Sequence, residues 1–162
     1  MSGARRGGSS RVVATAFAVL TIGLAACNSD PTEVQLQVIE EVTFAASLGV
    51  DLAAMTKLPE GMYIQDRVMG SGPGLAAGDT AWVYYELYLH TGTPISSDLF
   101  RFEFRRTPPA VIQGWDIGLE GMMAGGARLL VIPPELAYGS RAVGSIPAGS
   151  ILVFEVELDS IS

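Results

Sequence analysis

Cysteine, histidine and positively charged residues are scarce in this sequence, and each scarcity excludes a class of site. The 162 residues contain one cysteine, Cys27, and one histidine, His90, so an intrachain disulfide and a zinc site of Cys and His ligands are excluded. No glycine-rich phosphate-binding motif is present, and no cofactor or metal is predicted. Lysine and arginine together number 10 against 17 acidic residues, a net charge of −7 that argues against a nucleic-acid partner.

Residues 1–26 are predicted to be a signal peptide. Arg5, Arg6 and Arg11 form a basic region, and the uncharged run at residues 12–24 is too short to span a bilayer but has the length of a signal-peptide core. Loss of this leader would leave seven basic residues against 17 acidic ones, a net charge of about −10. Such a charge does not favour electrostatic binding to an anionic membrane surface.

The end of the leader, Leu24-Ala25-Ala26-Cys27, resembles a bacterial lipobox. The resemblance implies cleavage before Cys27 and acylation of both its thiol and the new amino group, and two or more acyl chains anchor a protein stably. The predicted location is therefore the bacterial cell envelope, with a lipid anchor in a membrane and the domain outside the cytoplasm (in the periplasm if the cell is Gram-negative).

The segment that follows, residues 27–57, is predicted to carry the lipid and to lead into the folded domain. Apolar residues recur between positions 34 and 52 at mixed spacing, without a clear helical or strand period. The segment is interpreted either as a tether or as a short helix.

Residues 58–162 carry the pattern of a single α+β domain. Apolar and polar residues alternate, as in half-buried strands, at residues 62–68, 81–90, 101–105 and 152–159. A nearly continuous apolar run at 127–132 indicates a buried strand, and Gly121 closes a short helix predicted at residues 114–120. These elements predict a curved antiparallel β-sheet wrapped around one short α-helix.

Aromatic side chains dominate the positions that this pattern places on the inner face of the sheet: Tyr85, Phe102, Trp115, Tyr138 and Phe154. Taken singly, each is explained by an ordinary hydrophobic core. Together they favour an apolar socket with polar groups at its rim, because tyrosine and tryptophan each carry a hydrogen-bonding group on an apolar body. Sockets of this kind bind the flat, rigid ring of proline.

The ordered set of residues resembles the FKBP family, the macrolide-binding peptidyl-prolyl isomerases, over roughly residues 58–161. The family pattern is a strand tyrosine, a later phenylalanine, Val-Ile-x-Gly-Trp, Ala-Tyr-Gly and a final isoleucine and phenylalanine. The matching positions are Tyr85, Phe102, Val111, Ile112, Trp115, Tyr138, Ile146 and Phe154. The family has a phenylalanine where Ile95 stands, an aspartate where Ser96 stands, and often a histidine in the loop after Tyr138 that is absent here.

The resemblance implies an isomerase that needs no cofactor. It assigns catalytic roles to the five inner aromatic residues, and substrate-binding roles to Ile95, Val111, Ile112 and Ile146. In the family the tryptophan forms the floor of the pocket, while the tyrosine hydroxyl and the isoleucine N–H, here of Tyr138 and Ile112, donate to substrate carbonyls. The implied substrates are X–Pro segments of unfolded or flexible exported proteins, bound by a monomeric domain.

Two other functions remain compatible with the sequence. The same pocket in a non-catalytic protein would bind proline or an apolar side chain and hold a partner, and the replacement at Ser96 favours this reading. A structural lipoprotein with a vestigial pocket would instead use residues 33–55, as a dimerisation helix for example.

Overall fold

The structure of the protein is a computed structural model that describes residues 33–162. The predicted signal peptide and the predicted lipidation site Cys27 lie outside these residues and stay predictions. The described residues belong to one compact unit. Among them, no helix has the length and apolar character needed to cross a membrane.

Eight strands and one α-helix form the described part of the chain. The strands are β1 (Thr56–Lys57), β2 (Tyr63–Val68), β3 (Ser71–Gly74), β4 (Thr80–Leu89), β5 (Pro94–Glu103), β6 (Met123–Ala124), β7 (Gly126–Ile132) and β8 (Leu152–Ile161), and helix α1 (Gln113–Gly118) lies between β5 and β6. Six of the strands form one antiparallel sheet in the order β1-β2-β7-β8-β4-β5, and β3 pairs with β6. The predicted α+β fold is therefore present.

Strand β4 shows why the sheet has an inner and an outer face. Its odd-numbered residues from Val83 point inward and its even-numbered residues outward, because successive side chains of a strand alternate between faces. Val83 is fully buried, whereas Trp82 and Tyr84 on the outer face are 37% and 40% exposed. β4 pairs with β5 on one side and β8 on the other, placing Tyr85 opposite Asp98 and Val156.

Helix α1 packs against the inner face and closes the main hydrophobic core. Gly114 and Gly118 allow this close approach, since a Cβ on Gly114 would come within 2.5 Å of Ile132, and one on Gly118 within 2.7 Å of Met62. Gly121 has a φ of 69°, a left-handed conformation that glycine adopts without steric cost, as the sequence predicted for the residue that follows the helix.

The segment before β1 differs from the predicted tether or helix. Residues 33–55, called the strap from here on, form three short 3₁₀ turns, and Thr56–Lys57 joins the sheet by pairing with β2. Buried Ile39, Leu48 and Met55 of the strap pack on the outer face of the sheet. Their sheet partners, which with them form the outer cluster, are Tyr63, Leu129, Val131, Ile151 and Val153. The strap therefore packs on the sheet of the domain that was predicted to begin at residue 58.

The same packing bears on the predicted dimerisation role of this segment. Its buried apolar side chains are used within the chain, and 3₁₀ turns rather than a helix form there. The mixed apolar spacing arises because irregular turns expose and bury residues without a fixed period.

Two further segments form strands that the sequence pattern did not indicate. The glycine-rich stretch Ser71–Gly74 has a composition typical of turns, yet it pairs with β6. Strand β5 begins at Pro94, several residues before the alternation predicted at 101–105, and so includes residues 95–98. Ser96, Ser97 and Asp98 give no apolar alternation because β5 is exposed along most of its length.

Candidate functional site

An open cavity of about 250 Å³ lies on the inner face, between the sheet, the start of α1 and the loop after residue 137. Its lining residues are Tyr85, Leu87, Ile95, Ser96, Phe100, Ala110, Val111, Ile112, Trp115, Tyr138, Ile146 and Phe154. Eight of the nine side chains predicted from the sequence are in this set. The structure thus brings together residues from β4, β5, α1, β8 and two loops.

Trp115 forms the floor of the cavity. It lies in the first turn of α1, where its backbone N–H donates to the carbonyl of Ile112, and only 4% of its surface is exposed. Its ring meets those of Tyr85 and Phe154 edge to face, each with 5.4 Å between ring centroids. Edge-to-face packing is a favourable arrangement of aromatic rings and so stabilises this orientation of the floor.

The one predicted residue outside the lining is Phe102. It is 5% exposed and packs beneath the site, with its ring centroid 5.6 Å from that of Trp115. Phe100, two residues earlier on the same face of β5, lines the cavity instead, is 37% exposed and stacks on Phe102. The sequence contained the signal for Phe100, because residues two apart on a strand share a face.

Residues 138–149, called the rim loop from here on, form one side of the cavity mouth. Tyr138 begins the loop, and Ile146 is 6% exposed and faces the site. Two backbone hydrogen bonds between Val143 and Ile146 make a tight turn there, and Gly144 at a φ of 57° allows it. The loop is closed at its base by the Gly149 N–H, which donates to the Gly139 carbonyl at 2.8 Å.

The polar groups at the mouth are available to a ligand. Within residues 33–162 the hydroxyls of Tyr85 and Tyr138 have no hydrogen-bond partner, whereas that of Tyr63 donates to Glu40 at 2.7 Å. No backbone carbonyl of the described residues accepts from the Ile112 N–H. Two phenol hydroxyls and one backbone N–H therefore suit a ligand that carries neutral polar groups beside an apolar group.

The family places a carboxylate near its pocket, whereas this chain has Ser96 at that position and an aspartate, Asp98, two residues later. Ser96 lines the cavity, opposite Leu87 of β4. Asp98 lies two residues further on the same face of β5, but its side chain is exposed and accepts from the N–H of Leu99 at 2.8 Å, outside the cavity lining. The wall at this point is therefore uncharged.

The titratable groups with displaced pKa values lie on the outer face. Hydrogen bonds from Lys57 and Tyr63 lower the pKa of Glu40 to about 2. A hydrogen bond to Glu86 raises the pKa of the Tyr88 hydroxyl to about 12. In the described part of the chain no group of three or more His, Cys, Asp or Glu side chains is placed to hold a metal ion. The cavity itself is lined by apolar side chains and neutral hydrogen-bonding groups.

Known proteins share both the sequence and the fold of this region. FK506-binding protein 4 of Gibberella zeae is 42% identical over 108 residues, which are 65% of this chain and 22% of that protein. The 46 kDa FK506-binding nuclear protein of Spodoptera frugiperda is 41% identical over 105 residues, which are 62% of this chain and 26% of that protein. The chain spans less than a quarter of the length of the first curated relatives it matches.

Two solved structures superpose on most of the domain. FkpA from Escherichia coli is 34% identical with a TM-score of 0.62, and the alignment covers 67% of this chain and 52% of that one. AtFKBP13 is 33% identical with a TM-score of 0.60, and the alignment covers 67% of this chain and 98% of that one. These likenesses confirm the curved antiparallel sheet with one short helix.

The curated relatives contradict the predicted bacterial cell-envelope location. They are eukaryotic proteins of fungi, an insect and Dictyostelium discoideum, and the insect protein is named as a nuclear one. The prediction depended on the leader and on four residues ending at Cys27, a short pattern of small residues that carries little information beside a match over about a hundred residues.

The family profile described as FKBP-type peptidyl-prolyl cis-trans isomerase matches residues 72–159, more than half of the sequence. The match includes every residue that lines the cavity. The chain therefore belongs to the FKBP-type peptidyl-prolyl cis-trans isomerase family.

Proposed function

We propose that the protein is a peptidyl-prolyl isomerase that binds an X–Pro segment in the inner cavity and accelerates rotation about its peptide bond. The observation that carries the proposal is the aromatic floor at Trp115 beneath two tyrosine hydroxyls that have no hydrogen-bond partner among the described residues. A proline ring is apolar and flat, and the carbonyls on either side of it need hydrogen-bond donors. The cavity offers surfaces suited to both.

The barrier to this rotation comes from amide resonance and amounts to about 18–20 kcal/mol. Resonance places negative charge on the amide oxygen, and water stabilises that charge. An apolar enclosure removes this stabilisation from the planar amide and so favours the twisted, less polarised form. Contacts that fit the twisted form better than the planar form lower the barrier. No acid, base or nucleophile is required.

Each lining residue then has a role that follows from its position. Trp115 would support the proline ring from below, with Tyr85, Phe100 and Phe154 as walls. The Tyr138 hydroxyl and the Ile112 N–H would donate to peptide carbonyls on either side of the ring. Ile95, Val111 and Ile146 would exclude water from the mouth, and Phe102 would hold Trp115 in place from below.

The clients of this site would be exposed X–Pro segments in unfolded or flexible proteins. Uncatalysed isomerisation takes about 10–100 s and limits the folding of many chains, which gives such a catalyst a use. One copy of the chain supplies every lining residue, so the domain is proposed to act as a monomer.

A binding module without catalysis is the second candidate, and the uncharged wall at Ser96 is the observation that favours it. In such a protein the pocket would bind planar and twisted X–Pro bonds equally well, and uniform binding of that kind gives no acceleration. Tight binding of a proline peptide without any increase in its isomerisation rate would identify this case.

The test is a cis–trans assay on a series of X–Pro peptides that differ in the residue before proline, with the purified 162-residue chain. A double variant, Trp115→Ala with Tyr138→Phe, is run beside it, and circular dichroism verifies that both proteins are folded. The proposal expects acceleration that the double variant loses. A folded wild-type protein that accelerates none of the peptides would contradict the enzyme and leave the binding module.

A further inference from the structure

The strap is attached to the base of the rim loop as well as to the outer face of the sheet. The backbone N–H of Gln37 donates to the carbonyl of Gly149 at 2.9 Å. The N–H of Gly149 in turn donates to the carbonyl of Gly139, the residue that follows Tyr138. A chain of two backbone hydrogen bonds thus connects the strap to the start of the loop.

The side chain of Gln37 makes two further contacts that join separate parts of the domain. Its Oε1 accepts from the N–H of Ile151 at 2.9 Å, just beyond the rim loop, and its Nε2 lies 3.2 Å from Nε2 of His90 at the end of β4. Nδ1 of His90 lies 3.2 Å from the carbonyl of Thr43. A carbonyl only accepts, so Nδ1 carries the ring proton and Nε2 accepts from Gln37.

This tautomer fixes the orientation of the amide of Gln37. Its NH₂ group must face His90, which leaves Oε1 facing Ile151, as both contacts require. The amide therefore bridges the end of β4 and the end of the rim loop in a single orientation. Leaving a buried N–H such as that of Ile151 without an acceptor costs free energy, so the bridge contributes to the stability of the fold.

Close packing at Gly149 shows that strap and loop touch along their backbones. A Cβ on Gly149 would lie 2.4 Å from the carbonyl oxygen of Gln35, and its φ of 75° is a conformation that side-chain-bearing residues rarely adopt. The base of the rim loop is thus held against the strap, whereas residues 140–145 further along the loop are exposed.

From these contacts we infer that Gln37 is a positioning residue for the cavity, acting through the rim loop on Tyr138 and Ile146. The inference depends on the proposed function, since its effect is on binding of the X–Pro peptide. A loop with an exposed outer part loses conformational freedom when a ligand orders it, and this loss weakens binding. By fixing the base, Gln37 reduces the freedom that remains to be lost.

The test compares Gln37→Met with Gln65→Met. Methionine keeps the length of the side chain and removes the amide. Gln65 is a matched control, because its Nε2 also bonds the strap, at the carbonyl of Ala54, but in the part that leads into β1. For each protein we would measure kcat and KM on one X–Pro peptide, the Kd of the same peptide in fluorescent form, and amide hydrogen exchange by NMR.

For Gln37→Met we expect KM and Kd to rise about 5-fold, the cost of ordering roughly one more side chain of the loop on binding, with kcat unchanged. Exchange at Ile151 and across the rim loop should become faster in this variant alone. Equal effects in both variants would overturn the inference, because any loosened strap would then suffice. Unchanged KM and Kd despite faster loop exchange would overturn it too.

Failure of the proposed function is recognisable separately. It shows in the wild-type protein, as an absence of acceleration, before any variant is compared. The peptide Kd and the hydrogen exchange still decide the role of Gln37 in that case, since a binding module needs an ordered rim loop as much as an enzyme does. A wild-type chain that binds no proline peptide at all would overturn both.

Discussion

The two faces of the same sheet are covered in different ways. The inner face is covered partly by helix α1, and beside the helix aromatic rings around Trp115 border a cavity that is open to solvent. The outer cluster is mainly aliphatic, and the strap closes it so completely that Leu129, Val131, Ile151 and Val153 have no exposed surface. Alternate residues of β7 and β8 serve the two faces, so one strand contributes to both.

The difference shows how a small domain separates stability from function. Aliphatic side chains without polar atoms pack densely and hold the fold, whereas tyrosine and tryptophan at an open face offer a ligand both apolar surface and hydrogen bonds. Substitutions on the two faces should therefore affect different measurements.

The largest effect is expected for Trp115→Ala. Removing a buried tryptophan destabilises a domain by about 3–5 kcal/mol, and loss of the floor should also lower kcat/KM by at least about tenfold. Trp82→Ala is the matched control, because the only other tryptophan lies on the outer face, 37% exposed, beneath Arg101. Urea unfolding and the cis–trans assay measure the two effects. Comparable losses of stability and activity in Trp115→Ala and Trp82→Ala would contradict the proposed difference between the two faces.

Leu129→Ala should affect stability alone. Leu129 is fully buried in the outer cluster, and a truncation of this kind costs about 2–5 kcal/mol through lost burial and the cavity it leaves. The variant should retain the wild-type kcat/KM at a temperature where it is folded. A loss of activity as large as the loss of stability would show that the faces are coupled through β7.

Tyr138→Phe should affect activity alone. The hydroxyl has no partner within the described residues, so its removal leaves no protein group unpaired, while a donor to the substrate is lost. Loss of one such hydrogen bond lowers kcat/KM about 5-fold. Tyr63→Phe is the contrasting variant, since that hydroxyl donates to Glu40 on the outer face. An unchanged rate for Tyr138→Phe would exclude the hydroxyl as a donor.

The smallest expected effect is a loss of fold stability at acidic pH through protonation of Glu40. Hydrogen bonds from Lys57 and Tyr63 lower the pKa of this carboxyl from its ordinary value of 4.5 to about 2. Because the pKa of Glu40 is lower in the folded state, its ionised carboxyl stabilises the fold above about pH 4.5. This contribution is lost as the pH falls from about 4.5 through about 2. The side chain is 45% exposed, so solvent screens the pair and the effect is small.

Glu40→Gln tests this dependence. Urea unfolding at low ionic strength should show the wild type more stable than the variant at neutral pH, with the gap closing near pH 2 and shrinking in 1 M salt. A gap that is constant over this range would indicate that the ionised carboxyl contributes nothing to attachment of the strap.

The inner face was largely predictable from the sequence, and the outer face was not. Tyr85, Trp115 and Phe154 lie on elements with a regular period or a clear end signal, so their direction follows from counting residues. The sequence pattern assigned Phe102 rather than Phe100 to the cavity, because alternation predicts the face of a strand but not how far along the strand the cavity extends. Both rings share the face, and only the position of α1 decides which one borders open space.

The strap escaped prediction for a different reason. Its 3₁₀ turns bury Ile39, Leu48 and Met55 at intervals of nine and seven residues, which match no single helix or strand. The partners of these residues come from β2, β7 and β8, distant in sequence. Contacts of this kind depend on the assembled sheet rather than on a local pattern.

Strand β5 is the last strand of the sheet, and its position gives the cavity one wall at the sheet's edge. Phe100 and Ser96 border the cavity from this strand, which is paired to β4 on one side and, within the described residues, to no strand on the other. The floor at Trp115 packs against aromatic rings of β4 and β8, but the wall at β5 is held along one edge only within the described residues. Under the proposed function, a wall held in this way would admit both bulky and small residues before proline, and the breadth of substrates would then depend on the edge of the sheet rather than on its centre.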